Sequence, residues 1–547
     1  MPDLMLGKEW LRPVHHAPGY PFGAARTTIT GALGKQASIQ PDNPFLTELR
    51  DAKRESLTYR VAYCEVQKRA GALAAWGLER GDRIGILGPN SADFVLAVLA
   101  VLEAGGVGVL LNHRDPEARI ASRAAFTGVR FLLHDPASTT VAQACTSVER
   151  FYSFKELRNL SVPTAGDSDR PPPLPTDAAL IFFTSGTTGA PKAVVQSQYS
   201  VAQNALSLVK HHGIGPGERL LCVLPLDHVN GLEFTIFGAL LGGGHTFLCR
   251  GFDGLKFWGI LDEHKIHLIS LVPNLLRLLA DRPALRGSRA PQLRYAVSAA
   301  APLPTSTAES VWSRLGMRIV QGYGLSEVTN FSCVMPSEID DGEYRRWMLE
   351  GRRASIGPAL PGQEVEIMNG ETLAKPGEEG ELVIRGHCVM SGYLHNEQAT
   401  DEVFRGGWFH TGDLGYYLPG PNGRKFMHVS GRIRDIAKRS GAMVNLLEID
   451  HVLTAIPGIA DAAATAFPNK WVDEEIGALV VRAKDCGLDS DSILEHCRRL
   501  LPFAETPKAI VFVDEVPRTV TGKVRRREMV DRFATLENQL FTERRRA

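Results

Sequence analysis

The sequence has no surplus of either charge: 61 Lys and Arg stand against 61 Asp and Glu in 547 residues. A protein that holds a nucleic acid along its surface shows a basic excess, so that class is set aside and any anionic partner is held locally. Cysteine is scarce, with eight positions (64, 145, 222, 249, 333, 388, 486 and 497) and neither a CxxC pair nor a tight Cys/His cluster. This spacing argues against a zinc site or a redox dithiol and fits reduced thiols in the cytoplasm. Long apolar runs are missing too. The longest, Phe94 to Leu111, is broken by Glu103, Gly105, Gly106 and Gly108, and reads as a buried helix, capped by Ser91 or Asp93, that turns into a strand. The N-terminus, MPDLMLGKEWLRPVHH, lacks the apolar core of an export signal. No period of roughly 20–50 residues recurs, which excludes solenoids and propellers.

What is present is a globular balance, 44% hydrophobic and 22% charged, long enough for three to four folding units at about 150 residues each. Helical periodicity around Tyr63 to Trp76 gives way to a strand at Arg83 to Leu87 and a helix from Asp93. Such alternation predicts βαβ units and a mostly parallel sheet. The polar, proline-rich stretch Ser161 to Thr176 reads as an extended connection before a strand at Ala178 to Phe183. Near Arg432 the pattern changes from turn-rich strands (Gly380 to Arg385, Lys425 to Val429) to a compact αβ pattern, so the main domain boundary falls there.

The segment Ile181 to Ser200, IFFTSGTTGAPKAVVQSQYS, runs an apolar strand into Thr184, Ser185, Gly186, Thr187, Thr188, Gly189, Ala190, Pro191 and Lys192. Glycines let backbone amides approach an anion, hydroxyls add rotatable donors, and Lys192 adds a compact positive charge, which together describe a phosphate cradle. The spacing is not that of the Walker loop, since Pro191 precedes the lysine and Ala193 follows it. A plain polar turn is the alternative for such a stretch on its own. A second segment, QGYGLSE at 321–327, follows a strand-like Met317 to Val320. In it Tyr323 offers a flat face to a purine, Ser326 can donate to a phosphate oxygen, and Glu327 is a hard oxygen ligand suited to Mg²⁺. In WFHTGDLGYY, residues 408–417, Asp413 is a two-pronged acceptor for ribose hydroxyls in a turn between strands.

TSGTTGAPK resembles the signature of the acyl-adenylate-forming superfamily, which includes acyl-CoA synthetases, peptide-synthetase adenylation domains and luciferases. The superfamily's other motifs follow in its own order, from about residue 50 to residue 530. The resemblance implies an α/β fold: a large N-terminal domain of stacked αβ subdomains plus a β-barrel-like subdomain (1–433), and a small mobile C-terminal α+β lid (434–547) hinged at Arg434. It implies ATP and AMP binding by Thr184, Ser185, Gly186, Thr187, Thr188, Gly189, Lys192, Gly322, Tyr323, Gly324, Ser326, Asp413, Arg432 and Lys523, with Mg²⁺ on Glu327. Arg432, in GRIRD, then reaches the ribose beside Asp413. Lys523, in PRTVTGKVRRRE, enters late on a mobile loop, where its charge meets the negative charge growing on the attacking carboxylate and the bridging phosphate oxygen.

The resemblance further implies an acid pocket of His228, Val229, Val297, Ser298, Ala299 and Gly322, with His228 gating the path between acid and thiol. The small side chains of VSAAA at 297–301 imply room for a bulky acid, fatty or aromatic. Ser440 and Gly441 line the implied channel for coenzyme A. Three positions depart from the superfamily pattern: Ala193 for glycine, Gln198 for a common histidine, and Leu446 for proline.

The implied reaction is an ATP-dependent acid–CoA ligation. A carboxylate forms acyl-AMP with loss of pyrophosphate, and coenzyme A then takes the acyl group and releases AMP. Both nucleophiles come from substrates, so the protein positions groups and stabilises charge. The alternatives are a stand-alone adenylation enzyme loading a carrier-protein thiol, a luciferase-like oxygenase and a non-catalytic nucleotide binder. Val229 after His228, where amine-binding relatives place aspartate, favours acids without an amine. Lys192, Glu327 and Lys523 together disfavour the non-catalytic reading.

Overall fold

The computed structural model describes residues 27–50, 53–159, 172–184, 192–282, 290–351, 353–439, 442–484, 486–519 and 522–541. Ser185, Gly186, Thr187, Thr188, Gly189, Ser440 and Gly441 lie outside these residues, as do most of the proline-rich connection and the side chain of Arg434.

Two sheets carry the parallel strands that the βαβ alternation predicts. In the first, strands Ala178–Thr184, Val107–Leu111, Arg83–Leu87, Phe131–His134 and Arg150–Ser153 run parallel in that order. Lys192–Ser197 and then Gly392–Tyr393 extend it antiparallel at one edge. In the second, the parallel set is Ile319–Tyr323, Tyr295–Ser298, Leu268–Leu271, Arg219–Cys222, His245–Cys249 and Pro44–Arg50, closed at its two ends by antiparallel Cys333–Val334 and Lys53–Thr58.

One hydrophobic core joins the two sheets through the helix Ala92–Glu103. Ser91 Oγ accepts from the Phe94 N–H at the start of that helix, and every residue from Phe94 to Leu102 is buried. The chain leaves the helix through Gly105 at φ +79° and enters Val107–Leu111, itself fully buried. A helix apolar on every face has no solvent side, which accounts for the long run in the sequence. The preceding helix covers Tyr59–Ala75, starting earlier than its apolar periodicity suggests because Thr58 caps it, its hydroxyl accepting from the Val61 N–H.

The antiparallel strands Gly380–Gly386, Trp408–Pro419 and Lys425–Arg432 belong to a six-stranded sheet with Gln363–Asn369, Thr372–Leu373 and Phe404–Arg405. After Ile433–Asp435 a separate five-stranded sheet begins at Ile436–Arg439 and carries the helices Leu446–Ala455 and Ser490–Leu500. Asp413 lies within the strand Trp408–Pro419 rather than in a turn. The glycine before it takes φ +72° and the register shifts after Leu414, so the strand absorbs the irregularity that the sequence suggested as a turn.

Candidate active site

The phosphate-loop motif forms a hairpin. Strands Ala178–Thr184 and Lys192–Ser197 pair antiparallel with Thr184 opposite Lys192, so these two residues flank the connecting segment. The Lys192 Nζ lies 4.6 Å from the centre of the Tyr393 ring. Tyr393 Oη donates to Glu327 Oε1 at 3.1 Å, and Thr184 Oγ1 donates to the same oxygen at 3.4 Å. Glu327 sits on the one-turn 3₁₀ segment Ser326–Val328 and is buried. Among the described residues no Lys or Arg forms an ion pair with it. A buried carboxylate met by hydroxyls rather than by a cation is a suitable oxygen donor for a hard metal ion.

Asp413 and Arg432 are directly opposite across the strands Trp408–Pro419 and Lys425–Arg432. Arg432 Nε donates to Asp413 Oδ1 at 2.8 Å, while Tyr323 Oη donates to Asp413 Oδ2 at 2.7 Å. The Asp413 carboxylate is the main cause that raises Arg432 above the usual guanidinium range. Burial, then Asp413, hold the Tyr323 phenol well above its ordinary value, so it stays a donor. Tyr323 is the last residue of the strand Ile319–Tyr323, a parallel strand whose C-terminal end opens onto this region.

The glycines of QGYG answer a packing demand. A Cβ on Gly324 would fall 1.5 Å from the Asn330 carbonyl oxygen, and one on Gly322 would meet the Phe331 ring at 3.1 Å. Their close approach folds residues 324–331 back on themselves and turns Glu327 toward Thr184 and Tyr393.

His228 is half-buried in the turn before the π-helix Asn230–Phe237, its Nε2 buried with no protein partner among the described residues. Asn90 staples that turn: its Nδ2 donates to the Leu224 and Cys249 carbonyls, and its Oδ1 accepts from the Leu226 N–H. Val229 is half-buried; Val297 and Ser298 end the strand Tyr295–Ser298 and, with Ala299, are buried. Ala300 follows at φ +72°, a left-handed conformation that favours glycine.

Lys523 lies in the turn Thr519–Lys523, where Thr519 N–H donates to the Lys523 carbonyl and Lys523 N–H donates to Thr519 Oγ1. Arg518 braces this turn, bonding the Gly522 carbonyl and both carboxylate oxygens of Asp461. The Asn274 side chain, on the helix Pro273–Asp281, lies against Gly522 at φ +86°. Thr184, Lys192 and Glu327 thus converge, as do Tyr323, Asp413 and Arg432, while Lys523 stands on a turn of the C-terminal part. Tyr393, Gln196 and Asn90 escaped sequence reasoning. Each is far along the chain from the motif it supports, and no local pattern marks it.

Parallel-strand ends, the hairpin strands that flank TSGTTGAPK, and the QGYGLSE segment joined to Asp413 are the arrangement expected of an adenylate-forming α/β enzyme. Residues 33–394 match the AMP-binding enzyme family and residues 448–523 match the AMP-binding enzyme C-terminal domain. The chain belongs to the AMP-binding enzymes. It is similar to a sulfoacetate–CoA ligase from Cupriavidus necator (28% identity over 92% of this chain and 97% of the relative). It is also similar to a feruloyl-CoA synthase from Amycolatopsis sp (30% identity over 90% and 96%). A solved structure of O-succinylbenzoate coenzyme A synthetase from Bacillus subtilis, in complex with ATP and magnesium ion, superimposes with a TM-score of 0.79 at 25% identity. That match covers 92% of this chain and 99% of the solved one.

Proposed function

We propose that this protein is an ATP-dependent acid–CoA ligase, an acyl-CoA synthetase of the AMP-forming class. The observation that carries the reading is the linkage of two half-sites by five residues: Tyr323 bonds the ribose-type carboxylate Asp413, and Glu327 meets Thr184 beside the phosphate hairpin. One short segment therefore joins the carboxylate assigned to the nucleoside to the carboxylate beside the hairpin.

In this site the Tyr323 ring, fixed through its hydroxyl, supports the adenine. Asp413 accepts from the ribose hydroxyls while Arg432 holds the carboxylate in place. Thr184, Lys192 and the residues between them receive the phosphates. Glu327 is the protein ligand for Mg²⁺, and the donor set fits that ion, which is commonly held by one or two carboxylates together with substrate phosphates. When bound, the ion neutralises charge on the phosphate oxygens. The acid lies between the His228–Val229 turn and the strand end Val297–Ala299. Its carboxylate oxygen attacks the α-phosphorus, the bond to the bridging oxygen breaks, and pyrophosphate leaves. Lys523 offsets the charge that grows on those oxygens. In the second step the coenzyme A sulfur attacks the acyl carbonyl and AMP departs. Small residues at 297–299 suit a bulky acid. The domain boundary falls at Arg434, a reading supported by the passage from the six-stranded to the five-stranded sheet at Ile433–Asp435. The use of ATP and coenzyme A supports a cytoplasmic location.

The test is exchange of labelled pyrophosphate into ATP, expected only when the cognate carboxylic acid is supplied with Mg²⁺, because adenylation is reversible. Silence across a broad panel of acids, each with Mg²⁺, overturns the reading.

A further inference from the structure

Glu233, on the π-helix Asn230–Phe237 just beyond His228, is fully buried, and neither carboxyl oxygen has a hydrogen-bond partner within ordinary geometry among the described residues. Its polar neighbour is the carboxamide of Gln196, also fully buried, with the Cys388 thiol near the same carboxyl. The two hydrogens of Gln196 Nε2 are already committed, to the Ser326 carbonyl at 3.0 Å and the Thr329 carbonyl at 3.3 Å. Gln196 Oε1 is left buried without a donor among the described residues. An ionised Glu233 would have as its polar neighbour an amide whose two hydrogens already go to carbonyls.

The two carbonyls that Gln196 holds bracket Glu327 and belong to a strained turn. Thr329 sits at φ 68° and ψ −69°, and the Asn330 N–H closes the turn by donating to the Val328 carbonyl at 2.8 Å. A non-glycine residue at this position of a γ-turn stores on the order of 1–3 kcal/mol and persists only when its surroundings hold it. The holders are Gln196 on one side and, on the other, the Cys388 carbonyl, which accepts from Thr329 Oγ1 at 2.5 Å, and Met390, whose N–H donates to the Glu327 carbonyl at 2.8 Å.

We propose that Glu233 is a positioning residue kept as the neutral acid, whose O–H donates to Gln196 Oε1 and so orients the amide that clamps the 326–329 turn and aims Glu327. Burial pushes the Glu233 carboxyl well above the ordinary carboxylate range, outweighing the smaller opposite pull of the Gln196 amide. A carboxylic acid confined to an apolar site can serve as a hydrogen-bond donor at neutral pH. The pair ties the turn that leads to the acid pocket to the turn that bears the metal ligand. The role assigned to Glu327 rests on the ligase reading; the proton on Glu233 does not.

Two measurements separate these. Infrared difference spectra of the wild-type protein and Glu233→Gln, without ligands at neutral pH, are expected to show a protonated-carboxyl band in the wild type alone. A spectrum with only an ionised carboxylate lost in the variant overturns the proposal, whatever the enzyme's activity. In pyrophosphate exchange, Glu233→Gln keeps a donor for Gln196 and is expected to need the same Mg²⁺ concentration as wild type within about threefold. Glu233→Leu and Gln196→Leu are each expected to raise that concentration about tenfold, and the double variant no further, since each breaks the same clamp. Conversion of supplied acyl-AMP to thioester stays unchanged. Lower melting temperature with unmoved Mg²⁺ dependence in the leucine variants, or a Gln variant as impaired as the Leu variant, refutes the positioning role. If the wild type exchanges no pyrophosphate, the ligase reading fails while the infrared result still decides the state of Glu233.

Discussion

Replacing Asp413 with asparagine removes one charge and little volume, so its consequences follow from the groups that face it. Asp413 has a side chain only 4% exposed, opposite an Arg432 side chain that is 25% exposed. Breaking a fully buried ion pair costs about 3–5 kcal/mol because one charge is left uncompensated. Arg432 retains contact with water and the asparagine oxygen can still accept one bond, so about 2 kcal/mol of stability is expected to be lost, measured by urea unfolding. ATP binding loses more. Hydrogen bonds to a charged acceptor contribute about 1.5–3 kcal/mol each, and two ribose hydroxyls compete for one amide oxygen, so ATP binding weakens by about 2–3 kcal/mol. At about 1.4 kcal/mol per tenfold, the ATP concentration for half-maximal pyrophosphate exchange rises roughly 30–150-fold. The half-saturating concentration of the acid is expected to stay within about threefold, because Asp413 is assigned to the nucleoside end. Arg432→Gln added to Asp413→Asn has less than the sum of the separate effects. An ATP requirement within about threefold of wild type, or an equal rise for acid and ATP, refutes the ribose assignment.

Lys523→Ala is expected to abolish acid-dependent pyrophosphate exchange while leaving conversion of supplied acyl-AMP to thioester; equal loss of both half-reactions refutes a lysine specific to adenylation. Gly324→Ala is expected to destabilise the protein by about 2–4 kcal/mol, because the new methyl would lie 1.5 Å from a backbone oxygen that cannot rotate away; an unfolding midpoint equal to wild type contradicts the packing described. Burial lowers His428 and His245 to about 4. Both are neutral in the fold and take up protons in the unfolded chain below about pH 6.5, so stability is full above that pH and falls as pH drops toward 4. For His428, which is 4% exposed, the loss is on the order of 2 kcal/mol; stability measured at pH 4.5 and 7 in His428→Gln should show a smaller difference than in wild type.

The motifs were legible because the chemistry they serve is local. A hairpin end with glycines and a lysine, a glycine turn with a glutamate, and an aspartate seven strands later are all readable as short strings. The parallel sheets were legible from alternation, and the helix Ala92–Glu103 from its apolar run. Asp413 was misplaced into a turn because a glycine at positive φ looks the same in sequence whether it ends a strand or bends one. Gly324 carried a functional signal for a steric reason, since its partner is the Asn330 backbone.

By itself the sequence determined the family and the α/β architecture and supplied most of the groups proposed to face the nucleotide, because residue type and near-neighbour spacing decide those. Tertiary structure alone decided how they are held. Tyr393 reaches Glu327 only because a two-residue strand pairs with Lys192–Ser197. Gln196 and Glu233 are neighbours although one lies on a sheet strand and the other on a π-helix. Such pairings join groups tens to hundreds of residues apart, and their energies depend on burial, which no local string encodes.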